Sequence, residues 1–365
     1  MTLEFSIDGS LSSLGNHFII GLDGTTLSDL DKEILSKLRP TGVLLLKRNF
    51  DHSLPYPEWL KSLTKLLKDV REITEREEML ITLDHECERV MRTPSPLTIF
   101  PNSVHFKDHA DRVARAQAKE LRSLGVNLSW APVADIHSNP SNPIIGERAF
   151  GHTAEEVISY AVPYAKALQN EGIIGCAKHF PGHGDTSTDS HLELPRVDLN
   201  ESELKERELK PFKALIDINI PTIMTAHILY PNIDRDYPAT MSEKIINQIL
   251  RKDLGFNGVV ISDDLDMKAV SDSFNRPETI ARSLNIGCDM FIIARHDPKS
   301  DRTLQIAEGF ADSVMNRSIS EEALFTAFQR IDSLFRDHVV MHEPFILSDQ
   351  DLLPHSQLAN AISSR

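Results

Sequence analysis

The segment from Lys178 to His191, KHFPGHGDTSTDSH, is dense in groups that carry protons or bind ligands. Its fourteen residues include three histidines, two aspartates, one lysine and two glycines. Such a density is typical of a metal site, a proton-transfer site or a site that holds a polar ligand. The question is which of these three kinds of chemistry the segment performs.

The spacing of Asp189 and His191 favours proton transfer. In a turn, the carboxylate would accept a hydrogen bond from the imidazole, which fixes the tautomer and raises the pKa of the ring. The glycines and small hydroxyl residues between Gly182 and Thr188 would let this pair swing over a pocket. The alternative is a surface turn in which both side chains serve only the backbone.

A metal site is the second interpretation of the segment. His179 and His183 have the i, i+4 spacing of two metal ligands on a helix, but Pro181 and the flanking glycines disfavour a helix there. A loop would have to gather its ligands from His183, Asp185, Asp189 and His191. We expect no metal, and we expect His183 and Asp185 to hold the loop in place.

A further carboxylate group lies in VVISDDLDM, where a buried strand would end at Asp263. A fixed carboxylate at a strand end can attack or stabilise a cationic centre. The adjacent Asp264 would raise the pKa of Asp263 by repulsion, unless one of the two points away or meets a cation. A carboxylate opposite a protonatable group suits glycoside cleavage through a covalent intermediate. Aldolase-like, phosphate-binding and other hydrolytic barrels stay open at this point.

Eight short apolar runs, each followed by a segment with helix signals, would position these groups. The runs are HFIIGLD (17–23), GVLLLK (42–47), MLITLD (79–84), VNLSWAPVAD (126–135), IIGCAKHF (173–180), PTIMTAH (221–227), NGVVISDD (257–264) and CDMFIIARH (288–296). They are nearly continuous, as expected for strands buried on both faces of a parallel sheet. This rhythm favours a (β/α)8 TIM-type barrel over a doubly wound sheet. We expect one catalytic barrel domain, 1–340, and a loosely packed C-terminal tail, 341–365.

Nearly every predicted strand ends in a polar or ionisable side chain. These residues are Asp23, Lys47, Arg48, Asp84, Asp135, Lys178, His179, His227, Asp263, Asp264, Arg295 and His296. In a barrel the carboxyl ends of all strands face one mouth, where the active sites of this fold lie. The sequence therefore predicts one shared polar pocket.

The overall composition excludes several classes of partner. A net charge of −15 argues against a nucleic-acid surface and against binding to anionic membranes. The three cysteines are too few and too scattered for a disulfide framework or a cysteine zinc site, and they fit a reducing cytosol. The N-terminus lacks the features of a signal peptide, and no apolar run reaches the roughly 18 residues that a membrane span needs. We expect a cytoplasmic monomer that binds neither nucleic acid nor membrane.

The histidine-rich segment, the following ELP and the later SDDLDM resemble the β-N-acetylhexosaminidases of glycoside hydrolase family 3, in particular the cytoplasmic bacterial type that recycles peptidoglycan fragments. Further matching stretches are GVLLLKRNF, LDHECERVMR, WAPVADI, IIGERAFG, MTAHILYP and LGFNGVVISDDL. The resemblance implies a (β/α)8 barrel and hydrolysis with retention through a glycosyl-enzyme. Asp263 matches the nucleophile of the family, and His191 with Asp189 matches its general acid/base pair.

The resemblance also implies a sugar subsite and a substrate. Five residues match positions that hold the terminal N-acetylglucosamine: Asp84, Arg92, Arg148, Lys178 and His179. The implied substrate is N-acetylglucosaminyl-β-1,4-anhydro-N-acetylmuramic acid, with or without its peptide, and no metal or organic cofactor is implied. Two alternatives stay open. One is a phosphorylase, because a histidine acid/base does not repel phosphate, and the other is a sugar-binding relative that has lost catalysis.

The segment DHECERV departs from the family pattern, which reads Asp, Gln, Glu, Gly, Gly, Arg, Val. His85 replaces the glutamine, and Cys87 and Glu88 replace the two glycines. Glycine permits close approaches that a side chain obstructs, and Glu88 adds negative charge near Asp84. We therefore expect a changed sugar subsite, with the nucleophile and the acid/base pair unaffected.

Overall fold

Eight parallel strands close into a barrel, which confirms the predicted fold class. The computed structural model describes residues 5–6, 9–187, 194–271 and 276–364, and ten strands lie within these ranges. They are β1 (Phe18–Gly21), β2 (Gly42–Leu45), β3 (Leu80–Leu83), β4 (His85–Cys87), β5 (Val90–Met91), β6 (Leu128–Ser129), β7 (Ile174–Phe180), β8 (Thr222–Thr225), β9 (Val259–Asp264) and β10 (Met290–Ile293). Each of the eight apolar runs contains one barrel strand, and β4 and β5 form a separate antiparallel hairpin.

The order of strands around the barrel follows the chain. It runs β1, β10, β9, β8, β7, β6, β3, β2 and back to β1, with every neighbouring pair parallel. The carboxyl ends of all eight strands therefore lie at one mouth, as the sequence predicted.

Helices surround the barrel. They are α1 (Leu11–Leu14), α2 (Asp29–Leu38), α3 (Tyr56–Thr74), α4 (Ala110–Ser123), α5 (Ala154–Asn170), α6 (Glu201–Glu206), α7 (Leu209–Asp217), α8 (Lys268–Ser271), α9 (Arg276–Asn285), α10 (Arg302–Met315), α11 (Glu321–His338) and α12 (Asp349–Ser363). The caps predicted from sequence are present: the Thr153 side chain accepts from the backbone N–H of Glu156, and Asn200 and Glu203 form a capping box. The helix predicted from Ser242 is wound as a π-helix, Lys244–Asp253.

Alternate residues of the strands face the barrel interior or the helices. Ile174 and Cys176 of β7 belong to an interior cluster with Val259 and Ile261 of β9. The intervening Val260 packs instead with residues of the helices. Because the interior is filled with side chains, a ligand cannot pass through the barrel, and the active sites of this fold lie at the mouth.

The C-terminal segment is not the loosely packed tail that we expected. Helix α12 begins at a capping box formed by Ser348 and Asp351. It buries Leu352, Leu358 and Ile362 in one cluster with residues of α3 and α4. Apolar residues recur at helical spacing in this segment, but their packing partners lie far away in the sequence. The segment taken alone therefore does not indicate that its helix packs against the rest of the protein.

None of the helices in the described ranges combines the length and the apolar composition that a membrane-spanning segment requires.

The packing of α12 gives a testable prediction. Leu358→Ala should lower the free energy of unfolding by about 2–4 kcal/mol, because it leaves a cavity in a buried cluster. Leu353 lies on the same helix but is 58% exposed, so Leu353→Ala should change stability by no more than about 0.5 kcal/mol. Urea unfolding of both variants checks this. Equal losses in the two variants would contradict the described packing of the helix.

Candidate active site

A polar pocket opens at the carboxyl ends of the barrel strands, with a cavity volume of about 190 Å³. It is lined by six of the eight residues that the sequence indicated: Asp84, Arg92, Arg148, Lys178, His179 and Asp263. The other two, Asp189 and His191, lie outside the described residues. The shared pocket predicted from twelve strand-end residues is present in part. Six of the twelve line it, and the other six do not: Asp23, Lys47, Arg48, Asp135, His227 and Arg295.

One wall of the pocket is a network of ion pairs. Lys178 Nζ, at the end of β7, lies 2.9 Å from Asp84 Oδ1 and 2.5 Å from Glu86 Oε1. Arg148 holds Glu86 in a bidentate pair, with Nε–Oε2 and NH2–Oε1 distances of 2.9 and 2.8 Å. Arg92 NH2 lies 3.3 Å from Asp84 Oδ2. The wall therefore combines two carboxylates with three cations.

The charges of this wall stabilise one another. Burial alone would raise the pKa of Asp84, but Lys178 and Arg92 outweigh burial and hold this pKa well below its usual range. Burial likewise opposes ionisation of Glu86, and Arg148 and Lys178 still lower its pKa to about 2. Burial would lower the pKa of Lys178, and the two carboxylates raise it instead. Asp84, Glu86 and Lys178 are therefore ionised at neutral pH.

Glu86 belongs to this wall but is not among the site residues predicted from the sequence. Its carboxylate is buried and contacts both Arg148 and Lys178. Along an extended chain, residues two apart point to the same side, so Glu86 points to the side of Asp84 and holds Arg148 and Lys178 from behind the pocket lining. The D-x-E spacing after a buried strand is the signal that could have identified it.

The residues that depart from the family pattern point away from the pocket. The ring of His85 is buried beside Glu120, with Nε2 3.8 Å from Oε2. The Cys87 thiol donates to the side-chain oxygen of Asn102 over 3.3 Å, and Glu88 is exposed. None of the three substituted side chains lines the described pocket. The obstruction that we expected from them is therefore absent there.

A second buried carboxylate, Asp135, organises the histidines. His179 Nδ1 lies 2.7 Å from Asp135 Oδ2, and the backbone N–H of His183 donates to Asp135 Oδ1 over 2.6 Å. Burial opposes ionisation of Asp135, but His179 lowers its pKa. Burial and the nearby His179 lower the pKa of His183 to about 4, so its imidazole is neutral at pH 7. The sequence indicates Asp135 only as a strand end, because its role depends on contacts between the segment after β6 and strand β7.

The described part of the histidine-rich loop is firmly held, contrary to the freedom that we expected from its glycines. A Cβ on Gly184 would lie 1.6 Å from the carbonyl oxygen of Ile136. The side-chain amide of Asn142 donates to the carbonyls of His183 and Gly184 over 2.8 and 3.0 Å. Gly184 therefore serves a close approach between two backbone segments rather than flexibility. His183 and Asp185 hold the loop as expected, the latter through Arg207 NH2 at 3.0 Å.

The two aspartates at the end of β9 have different surroundings. Asp263 Oδ1 accepts the backbone N–H of Asp264 over 2.8 Å. Asp264 Oδ1 accepts backbone N–H groups from Asp266 and Ala294, and Oδ2 lies 2.8 Å from His296 Nε2. Asp264 thus turns toward the end of β10 and meets an imidazole there. The first of the two conditions that relieve repulsion between the carboxylates is therefore met, because Asp264 points away from Asp263.

No set of three or more histidine, cysteine, aspartate or glutamate side chains in the described ranges is arranged to hold a metal ion. Two of the four residues of the metal interpretation, Asp189 and His191, lie outside those ranges.

The chain belongs to glycosyl hydrolase family 3. Residues 17–334, which include the whole barrel, match the model of the glycosyl hydrolase family 3 N terminal domain.

The relatives with known names are hexosaminidases. Beta-hexosaminidase A of Pseudoalteromonas piscicida is 34% identical over 335 residues, which cover 85% of this chain and 55% of that protein. The structure of a family 3 beta-N-acetylglucosaminidase from Paenibacillus sp. str. FPU-7 has a TM-score of 0.85 at 29% identity, covering 99% of this chain and 68% of that one. NagZ from Neisseria gonorrhoeae, solved in complex with N-trifluoroacetyl-D-glucosamine, has a TM-score of 0.74 at 27% identity, covering 94% and 97%. The chain thus spans about half of the first relative and nearly all of the third.

The buried wall predicts an acid-dependent stability. The folded pKa of Glu86, about 2, is below its ordinary value of 4.5, so its ionised form stabilises the fold above about pH 4.5 and this contribution is lost as the pH falls toward 2. Glu86→Gln should cost about 3–5 kcal/mol at pH 7, because it leaves the buried Arg148 without its carboxylate partner. The difference from the wild type should shrink between about pH 5 and pH 3.

Urea unfolding of both proteins at several pH values measures this difference. Glu88→Gln is the matched control, because Glu88 is exposed two residues away and should show no such trend. A Glu86→Gln deficit that stays constant or grows in acid would contradict the depressed pKa.

Proposed function

We propose that this protein is an exo-acting, retaining β-N-acetylglucosaminidase. The observation that carries the proposal is that Asp263, at the end of β9, lines the same pocket as the ion-paired wall. Family membership and the names of the relatives support the choice of reaction. The pocket is closed at its floor by Trp130 and Met224, which are buried. A closed floor favours a single terminal sugar over a polymer that passes through.

The wall suits an uncharged sugar. Asp84 accepts and Lys178, Arg92 and Arg148 donate hydrogen bonds, and a sugar hydroxyl does both. His179 would complete this set, because Asp135 fixes its orientation. Since these groups hold one another in place, they need little reordering when the terminal N-acetylglucosamine binds.

In the proposed mechanism Asp263 attacks the anomeric carbon. The bond from this carbon to the leaving oxygen breaks, and His191, oriented by Asp189, donates its proton to that oxygen. In the second step His191 takes a proton from water, and the water oxygen attacks the same carbon and releases Asp263. Two displacements give the product the configuration of the substrate.

The substrate that we propose is N-acetylglucosaminyl-β-1,4-anhydro-N-acetylmuramic acid, with or without its peptide. We also propose that the enzyme is a monomer and that it acts in the cytoplasm. The sequence resemblance to the peptidoglycan-recycling type supports this choice.

Hydrolysis is favoured over transfer to phosphate by the charges of the pocket wall. Arg92, Arg148 and Lys178 each contact a carboxylate already. A phosphate that entered the pocket would have to approach Asp84, and the three cations of this wall are already paired with carboxylates.

Replacing the proposed nucleophile tests the mechanism. Asp263→Ala should lower kcat/KM on an aryl N-acetyl-β-glucosaminide by roughly 10³- to 10⁵-fold, because the covalent route is lost. Added azide should restore turnover of this variant and give the α-configured glycosyl azide. In the wild-type reaction, NMR should detect the β-anomer of the released sugar before the α-anomer, because the proposed mechanism retains the configuration of the substrate. The control is Asp297→Asn, an exposed aspartate outside the pocket lining. Unchanged turnover in Asp263→Ala, or an α-anomer as the first product, would refute the mechanism.

The proposed acid and substrate are tested together by comparing leaving groups. His191→Ala should slow cleavage of the anhydro-muramyl disaccharide by roughly 10²- to 10⁴-fold, because its alkoxide leaving group needs a proton. The loss should be much smaller on an aryl substrate whose phenolate leaves unaided. Chromatography of products with and without phosphate should give free N-acetylglucosamine in both. A sugar 1-phosphate product would show that the reaction is phosphorolysis rather than hydrolysis. An equal loss of cleavage rate on the two substrates in His191→Ala would show that His191 is not the general acid.

A further inference from the structure

The proposed nucleophile has a second carboxylate as its direct neighbour. Asp263 and Asp264 are consecutive at the end of β9, and both line the pocket. Like charges at such short range disfavour ionisation of both groups. A nucleophilic carboxylate has to be ionised, so something in the site must offset the charge of Asp264.

His296 is placed to offset that charge. Its Nε2 lies 2.8 Å from Asp264 Oδ2, and its side chain, 55% exposed, stands at the rim of the pocket. Asp264 Oδ1 is fixed from the other side by the backbone N–H groups of Asp266 and Ala294. Asp264 is therefore held rigidly, and one of its oxygens faces the imidazole.

We propose that His296 carries a positive charge against Asp264 and thereby keeps Asp263 ionised in acid. This inference rests on the proposed role of Asp263 as the nucleophile. In it, His296 is a positioning residue that acts on the nucleophile through the local charge, and it is separate from the proposed acid/base pair.

Within the described ranges, three other basic side chains lie near Asp264, and each is directed to other partners or is less readily charged than His296. His227 Nε2 contacts the Asp264 carbonyl, but burial lowers the pKa of His227, so this imidazole is protonated less readily than that of His296, whose pKa is raised. Arg48 donates to three backbone carbonyls rather than to Asp264. The guanidinium of Arg295 is directed to Asp31 and to the carbonyls of Gly21 and Pro298.

The protonation of His296 agrees with this role. The hydrogen bond to Asp264 raises the pKa of His296, burial opposes the shift, and the charges of Asp264 and Asp266 add to it, with Arg48 as a weaker opposing charge. The imidazole is therefore charged in acid, the pH range in which a nucleophilic carboxylate starts to be protonated. Without that charge Asp264 would raise the pKa of Asp263, and activity would be lost at a higher pH.

The experiment is the pH profile of kcat/KM on an aryl N-acetyl-β-glucosaminide. The acidic limb reports the group that has to be ionised, here the nucleophile, whereas the general acid has to be protonated and therefore sets the basic limb. In His296→Gln this limb should move to higher pH by about one unit. His296→Lys, which keeps a positive charge, should leave the limb near its wild-type position. His338→Gln is the control, because His338 is exposed and lies by the start of β9, at the opposite end of the barrel.

A second pair of variants separates charge from shape. Asparagine at 264 keeps an oxygen that can accept the same backbone N–H groups but has no charge, so Asp264→Asn should move the acidic limb to lower pH. The double variant with His296→Gln lacks both charges, and its limb should return close to that of the wild type. Thermal unfolding over the same pH range identifies any loss that comes from unfolding.

An acidic limb that does not move in His296→Gln overturns the inference. So does an equal loss at every pH in His296→Gln, because that result would mean direct contact of His296 with the substrate. Failure of the proposed function is distinguished by Asp263→Ala: if that variant keeps its turnover, the nucleophile itself is wrong, whatever His296 does.

Discussion

The contact of Glu86 with both Arg148 and Lys178 is the interaction on which the pocket depends. It joins three separate parts of the chain, namely the hairpin after β3, the turn before α5 and the end of β7. Buried ions are costly to desolvate, and each of these three is stable only because the others are present. Lys178 is 3% exposed, so without the two carboxylates it would be a buried charge with no compensation. The same contact that holds the wall of the proposed sugar subsite therefore also fixes the ends of the strands.

This matching of charges recurs at the other strand ends. Asp135 is paired with His179 from the neighbouring strand, and Asp264 meets His296 beyond β10. In each case a carboxylate at one strand end contacts a basic side chain delivered by an adjacent strand. The barrel makes this possible, since parallel strands bring residues that are distant in sequence to one mouth. A chain of net charge −15 thus has a pocket whose buried carboxylates are locally compensated.

The sequence was sufficient for the barrel and for most of its mouth, because both follow from local pattern. A strand buried on two faces needs a continuous apolar run, and the residue after the run has to lie at the polar end. What the sequence could not supply depends on distant contacts. The need for glycine at 184 comes from the carbonyl of Ile136, and the helix after Ser348 is stabilised by residues of α3 and α4. Glu86 was missed although its spacing from Asp84 follows a local rule.

The compensated wall also has a consequence for catalysis by the proposed mechanism. Positive charge develops on the sugar as the glycosidic bond breaks. Asp84 and Glu86 are each paired with cations, so they offer little net attraction to that charge. In the proposed mechanism Asp263 meets this charge directly, because it attacks the carbon on which the charge develops. Groups that bind the neutral sugar and the group that stabilises the cationic transition state are then distinct. Binding energy that appears only in the transition state is the kind that accelerates a reaction.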